Sequence, residues 1–545
     1  MGMGHRALGC LLLLPLGACY SSAPFSGEDA ADRSPGPPAV GSCDAGERRS
    51  CECADGFRMD VRCEGGQWPG CPCATPECAP GETRQCTCAV GQPGREACSP
   101  GGFFSVCECS SPLPDPDPEP PAGQPGVIVA QPDDEASFLW DEAQLQTFEL
   151  ELRPQDLAMI DGSPAAELYV PGNLHHGEDT YEVGIRYKGS YGAFLAPCTG
   201  DGLGQLGGPK VGKCSIKVSF HWNNPGGRFH GLKKLQFHSL GHDPSLMRER
   251  LGYATFRQMG VAAPRAVHAR LMINGRYVGL YALVENIDGS FTRAHFSEGG
   301  EGNLYKEVWP THDNPDIYLA ALRTNRDEMP SVQQMRDFGA AVEAGPVAAA
   351  RWLDMDVMAR YLAVDRVLIN DDGIMHFWCS TGGQGGNPGP YGNHNYYWYF
   401  AADSSRAWLI PWDLDSSMQI DGFVQVYSDW LWPQEQCGCQ TYPQQSFPVA
   451  QAPPNCDPLI GGWATMRERY DAQVDALLAG PLAGEAVDAK LDAWSSQIRA
   501  AVVEQQDAGI IAVEEGVLDV PSWEYALQTL RADLAYMRDN RGYGY

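Results

Sequence analysis

The sequence predicts an α+β unit, residues 127–545, carried behind a disulfide-rich repeat stalk. Three observations predict this. Strand-like alternation and a hairpin signal crowd the first part of the unit, and Ala- and Leu-rich helical stretches fill its end. Twelve cysteines recur between 43 and 109 in two sets with nearly the same spacing. A segment rich in Pro and acids, 110–126, separates the two regions and reads as an extended, self-repelling linker.

Composition narrows the function classes. The 545 residues carry 39 basic and 69 acidic side chains, a net charge of −30, which argues against a nucleic-acid binder that must neutralise phosphates. An apolar fraction of 43% is too high for a disordered chain. No internal run reaches the roughly 18 apolar residues that a membrane span needs.

Taken in order, residues 1–18 read as a signal peptide: His5 and Arg6, an apolar run from Leu8 to Leu14, then small residues. Leu16-Gly17-Ala18-Cys19 resembles the lipobox of bacterial lipoproteins. That resemblance implies lipidation at Cys19, a membrane anchor through the lipid, and an exported, envelope-associated chain, with 19–42 as a flexible tether. In the repeats the gaps are 8, 2, 10, 8, 2 and then 8, 2, 10, 9, 2. Cys-x-Cys pairs in an exported chain imply three disulfides per repeat rather than zinc knuckles, with connectivity left open. Beyond the repeats lie Cys198, Cys214, Cys379, Cys437, Cys439 and Cys456, all available for pairing; Cys198 with Cys214 would staple the Gly-rich loop between them.

In the large unit, Val183, Ile185 and Tyr187 alternate as a half-buried strand ending in Lys188-Gly189-Ser190. Ile216, Val218 and Phe220 alternate likewise, which places Lys217 on the opposite face. Asp243-Pro244 reads as the cap and first residue of a helix stopped at Gly260, with Glu249 in its second turn. Asn274-Gly275 marks a hairpin. A helix from about Asp356 carries Val357, Tyr361, Val364 and Leu368 on one face and runs into Asn370-Asp371-Asp372. The strands Tyr396–Phe400 and Ala407–Ile410 follow, the second ending in Pro411-Trp412-Asp413-Leu414-Asp415; from Leu459 the chain reads as helical.

The chemistry-bearing pattern is a set of acids and one amide at element ends: Asp372, Asn395, Asp413 and Asp415. Hard oxygen ligands with room left for water and phosphate suit Mg²⁺. A carboxylate free of metal to orient a hydroxyl, plus a lysine on phosphate, completes the parts for phosphoryl transfer.

Several segments, in one order over roughly 140–430, resemble the spore coat protein H (CotH) kinase family. They are Gly184-Ile185-Arg186-Tyr187-Lys188-Gly189, Ser215–Phe220, Phe229-His230-Gly231-Leu232-Lys233-Lys234-Leu235, Asp243-Pro244-Ser245-Leu246-Met247-Arg248-Glu249, Gly260–Arg265, Asn274–Tyr281, Glu285–Asp288, Leu304–Lys306, Asn370-Asp371-Asp372, His394-Asn395-Tyr396 and Ile410–Asp415. The resemblance implies an atypical, two-lobed protein-kinase-like domain using ATP and Mg²⁺ on hydroxyls of an exported protein substrate. It implies Asp372 as the catalytic aspartate, Asp413 and Asn395 as metal ligands, and Lys217 with Glu249 as the pair that positions phosphates. It places Ala282–Glu285 at the adenine side, with Glu285 as a binding candidate. Lys188, Lys210 and Lys213 compete with Lys217. The chain departs from the pattern in the Gly-rich segment 199–212 and in the 22 residues between Asp372 and Asn395. The alternative reading is an inactive kinase-like lipoprotein serving as a coat or envelope scaffold.

Overall fold

The structure is a computed structural model. It describes residues 48–52, 58–62, 82–87, 93–97, 108–109, 127–189, 198 and 212–542, the last run interrupted at 298–299, 312–313, 328–329, 380–389, 403, 421–436, 443–448 and 514–515. The signal segment, Cys19, the tether and the pairing of the repeat cysteines lie outside the described residues. The chain divides into two compact units, Met1–Glu119 and Pro120–Tyr545. In the first, Arg48–Glu52 pairs antiparallel with Arg58–Arg62, and Thr83–Thr87 with Pro93–Ala97, which also pairs with Glu108–Cys109.

The second unit mixes helix and sheet, as an α+β chain should. Seven strands close a barrel: β1 (Gln146–Glu151), β2 (Val170–His176), β3 (Asp179–Tyr187), β4 (Ile216–Ser219), β5 (Lys234–His238), β6 (Ala266–Ile273) and β7 (Arg276–Val284). The order around it is β4-β5-β7-β6-β1-β2-β3, back to β4. All pairs are antiparallel except β6 with β1. The β6–β7 hairpin turns at Asn274 and Gly275, whose φ values of 50° and 74° match the strand twist. Alternation sends Ile185, Tyr187, Ile216, Val218, Leu235 and Phe237 into the barrel interior. Each contributes roughly 1.5–3 kcal/mol by burial, so the interior holds the barrel and leaves its outer face open to charge. On that face Lys217 pairs across with Arg186 and Gln236.

The second layer holds a three-stranded sheet of β8 (Asn303–Lys306), β9 (Tyr396–Phe400) and β10 (Ala407–Pro411). With it pack α1 (Arg248–Gln258), α2 (Met355–Val367), α3 (Arg467–Ala479), α4 (Gly484–Asp507) and α5 (Val520–Asp539). A larger core joins the barrel's outer Leu280, Ala282 and Val284 to Phe256, Tyr361, Trp398, Trp494 and Trp523, so the C-terminal helices belong to this core. Asp354 caps α2 by accepting from the amides of Asp356 and Val357. The pairs Cys198–Cys214, Cys379–Cys439 and Cys437–Cys456 are all formed.

The expected helix start at Asp243 is corrected. The chain turns through Leu246 at a φ of 64°, and α1 begins at Arg248, with Glu249 in its first turn. Tertiary bonds override the local cap signal: Trp523 Nε1 donates to Ser245 O (3.1 Å) and His268 Nε2 to Leu246 O (2.6 Å). Asp243 instead accepts from the amides of Ser245 and Arg248.

Lys213, one of the competing lysines, is buried under the barrel's outer face. Its Nζ donates to Leu280 O (2.6 Å) and Gln505 Oε1 (3.3 Å) and lies 5.0 Å from the Tyr281 ring centre. Among the described residues it has no ion-pair partner, and burial pushes it from 10.5 to about 7. Above 10.5 the amine is neutral in both folded and unfolded chains. Between 10.5 and 7 only the unfolded chain gains the proton, so stability is lost as pH falls through this window. The unfolding free energy of wild type relative to Lys213→Met should therefore rise from pH 7 to pH 10. A flat difference in chemical denaturation would show that Lys213 titrates normally.

Candidate active site

One face of α1 organises the site. Positions 249, 252 and 253 lie one turn apart and share that face. Glu249 accepts from His238 of β5, with Nδ1 at 2.8 Å from Oε1 and 3.0 Å from Oε2. Tyr253 also bonds Glu249, and its hydroxyl accepts from the Asp413 amide at 2.9 Å. Between them Gly252 admits the loop after β10. A Cβ there would stand 2.7 Å from Leu414 Cδ1 and 3.3 Å from Met418 Cε. The same helix thus ties the barrel to the segment bearing Asp413 and Asp415.

The second carboxylate, Asp372, sits in the turn after α2. Trp378 Nε1 donates to its Oδ1 (2.9 Å), and Asn395 Nδ2 donates to its Oδ2 (2.7 Å) and its backbone O (3.2 Å). Because the Asn395 nitrogen is spent on Asp372, the group it has left for a ligand is the amide oxygen. Trp412 N donates to Asn395 O (3.0 Å), which joins the Asn395 and Asp413 segments. Asn395 and Asp413 both adopt left-handed backbone, with φ of 62° and 53°. Asn and Asp tolerate that region at a cost, and such strain gathers at functional sites.

The two layers carry opposite charge. Burial, then Asp413 and Asp415, push Asp372 up to about 7, against the bonds from Trp378 and Asn395. Burial and Asp413 also raise Glu249 and Asp415. On the barrel, burial lowers Lys188, while Asp413 and Glu249 pull it back up. Burial, then Lys188, Arg186 and Lys234, push Lys217 well down. These are outward side chains of β3, β4 and β5, or the residue just after β3.

The structure brings together Asp372, Asn395, Asp413 and Glu249 from the residues singled out in the sequence. It sets Lys188 rather than Lys217 against Glu249 and Asp413: Lys188 Nζ lies 2.6 Å from His238 Nε2 and 5.3 Å from the Trp412 ring centre. Lys217 is grouped with the other cations. Glu285 does not join the site. Its buried carboxylate pairs with Arg265 (2.7 Å) and His295 (2.9 Å), which hold it down at about 2 despite burial. Arg265 also reaches Asp134 (2.8 Å), so Glu285 anchors the segment 129–140 to the barrel. His238, Tyr253 and Trp378 went unrecognised in the sequence; the polar step of His238 and Gln236 against Leu235 and Phe237 was the available signal.

As a cation site, the donor set of Asp413, Asp415 and the Asn395 amide is all oxygen, and its mutual repulsion favours a divalent ion. His238, Glu249 and Asp413 also lie within 4.8 Å of one another. Both His238 nitrogens are already spent, on Lys188 and Glu249, so this trio suits the lysine better than a metal. A groove of about 630 Å³ lined by Glu151, Arg153, Asn173 and Trp222 shares no residue with the acids.

The fold and site define a mixed barrel-and-helix domain with facing cations and carboxylates. The sequence pattern described as CotH kinase protein matches residues 185–512, and the chain belongs to that family. It is 21% identical over 306 residues to the inner spore coat protein H of Bacillus subtilis (strain 168), covering 52% of this chain and 71% of that protein. It is 45% identical over 56 residues to an inner spore coat protein H-like protein of the same strain, covering 10% of this chain and 18% of that protein.

Breaking the Glu285 cluster separates a role in folding from one in binding. Glu285→Gln should lower the midpoint in chemical denaturation, at a cost below the roughly 3–5 kcal/mol of a fully stranded buried cation, because Arg265 keeps Asp134. An unchanged midpoint would return Glu285 to the list of ligand-binding candidates.

Proposed function

We propose that this chain is an ATP- and Mg²⁺-dependent phosphotransferase acting on hydroxyls of exported proteins. The observation that carries the reading is the facing of half-buried cations on the barrel against Asp372, Asp413, Asp415 and Asn395 below. Crowded cations that depress one another are stabilised by a polyanion, and crowded carboxylates by a divalent cation; Mg²⁺–ATP supplies both. On this reading the barrel and the helical layer are the two lobes of a reduced kinase-like fold. Asp413 and Asn395, with Asp415 beside them, would hold the metal, which when bound offsets charge on the phosphates. Lys188 contacts phosphate, and Lys217, Arg186 and Lys234 add to the positive face.

Asp372 then serves the acceptor. Its carboxylate, held by Trp378 and Asn395, orients the hydroxyl and takes its proton. The hydroxyl oxygen bonds to the γ-phosphorus as the bond to the β–γ bridging oxygen breaks, and ADP leaves. A base poised near neutral pH suits that transfer.

The location belongs to the same reading: export by the signal segment, a lipid on Cys19, and an envelope or coat setting, in keeping with relatives named as inner spore coat proteins. Those names also favour the second reading, a coat or envelope scaffold without catalysis.

The test is phosphate transfer by the full mature chain from γ-labelled ATP with Mg²⁺. Label should reach the chain or an added acceptor, and fall at least about a hundredfold in both Asp413→Ala and Asp372→Ala, the scale of losing a metal ligand or base. No label, together with no thermal stabilisation by Mg²⁺–ATP, would leave the scaffold.

A further inference from the structure

We propose that His238 is a positioning residue: a neutral imidazole, protonated on Nδ1, that relays the Lys188 ammonium to Glu249 and so fixes it toward the nucleotide phosphates. This rests on the phosphotransferase reading above and adds to it a residue that acts through Lys188.

The geometry is a chain through the two ring nitrogens. Lys188 Nζ is 2.6 Å from Nε2, and Nδ1 is 2.8 Å from Glu249 Oε1. His238 and Glu249 are buried, at 6% and 2% exposure, so a misplaced proton here cannot be repaired by solvent. Among the described residues no direct ion pair joins Lys188 to Glu249; the ring spans the gap. The ring is fixed in turn by Trp412, edge-to-face at 5.3 Å between centres.

Two proton arrangements satisfy the chain. In one, the ammonium donates to Nε2 and Nδ1–H donates to the carboxylate. In the other, a protonated Glu249 donates to Nδ1 and Nε2–H donates to a neutral amine. The surroundings select the first. The amine lies against the Trp412 ring, which attracts a cation. Burial and then Asp413 raise Glu249, and the Tyr253 hydroxyl and the ammonium charge behind the ring oppose that rise. A histidine spacer thus gives a lysine–glutamate pair longer reach, with one donor and one acceptor on a rigid ring.

An amide can imitate that ring, because its oxygen accepts and its nitrogen donates. His238→Leu fills the space and does neither. In the full mature chain, Mg²⁺–ATP affinity by calorimetry and KM for ATP should worsen about tenfold or more in His238→Leu, the scale of a lost charge-assisted hydrogen bond. His238→Gln should recover most of the loss, and kcat should change less than KM in both. Equal losses in the two variants, or a fall in kcat alone, would overturn the positioning role. Nitrogen-15 spectra of the wild type supply a readout independent of nucleotide. His238 should show a protonated Nδ1 and a bare Nε2, and the Nε2–H tautomer would sink the relay. If the wild type shows the expected tautomer yet binds no Mg²⁺–ATP, the relay stands as a structural device and its phosphate-positioning purpose falls with the phosphotransferase reading.

Discussion

A carboxylate buried between two layers has to be compensated from both, and Glu249 is. From the barrel it takes His238 and, behind it, Lys188; from its own helix it takes Tyr253, whose hydroxyl receives the Asp413 amide. Every other placement in the site depends on that arrangement. Strand β5 must present His238 outward, so its neighbours Leu235 and Phe237 must fill the barrel. Helix α1 must bring 249 and 253 onto one face, which sets its start after the turn at Leu246. The loop after β10 must come close enough for its amide to bond, which is why residue 252 has no side chain.

The helices after residue 459 keep that arrangement in register. Trp523 holds Ser245 O, and Gln497 and Trp494 meet Arg250, the residue after Glu249. Arg250 also donates to His268 Nδ1, whose other nitrogen holds Leu246 O. A short helix carrying a buried acid is braced on the side away from the acid. This separates support from chemistry: the polar atoms facing the cleft are left for ligand, and the cost of the bent backbone at Leu246 is met behind it.

What could be read along the chain was whatever depends on near neighbours. The hairpin at Asn274-Gly275 and the apolar face of helix α2 declare themselves through turn chemistry and periodicity. Closure of the barrel does not, because β1 pairs in parallel with β6 more than a hundred residues away. The start of α1 misled for the same reason: Asp243-Pro244 is a sound cap signal, and distant donors from Trp523 and His268 overrule it. Among site residues, the acids were legible because they sit at element ends in short motifs. The lysine was not settled, since Lys188 and Lys217 share a face on adjacent strands and only the position of the opposing layer tells them apart. Glu285 illustrates the converse, an acid in a suggestive place whose partners, Arg265 and His295, turn it to a supporting role.

Trp378, which holds one oxygen of Asp372, lies on a short strand whose last residue, Cys379, is bonded to Cys439; the neighbouring Cys437 is bonded to Cys456. None of these four cysteines belongs to the apolar clusters that fill the barrel and pack its helices. Water exclusion fills those clusters, and sulfur oxidation frames the strand that presents the indole. A preparation made under reducing conditions would lack the covalent frame around that indole. The redox history of a sample is then part of its identity, and has to be recorded beside its purity before silence in an assay is given any meaning.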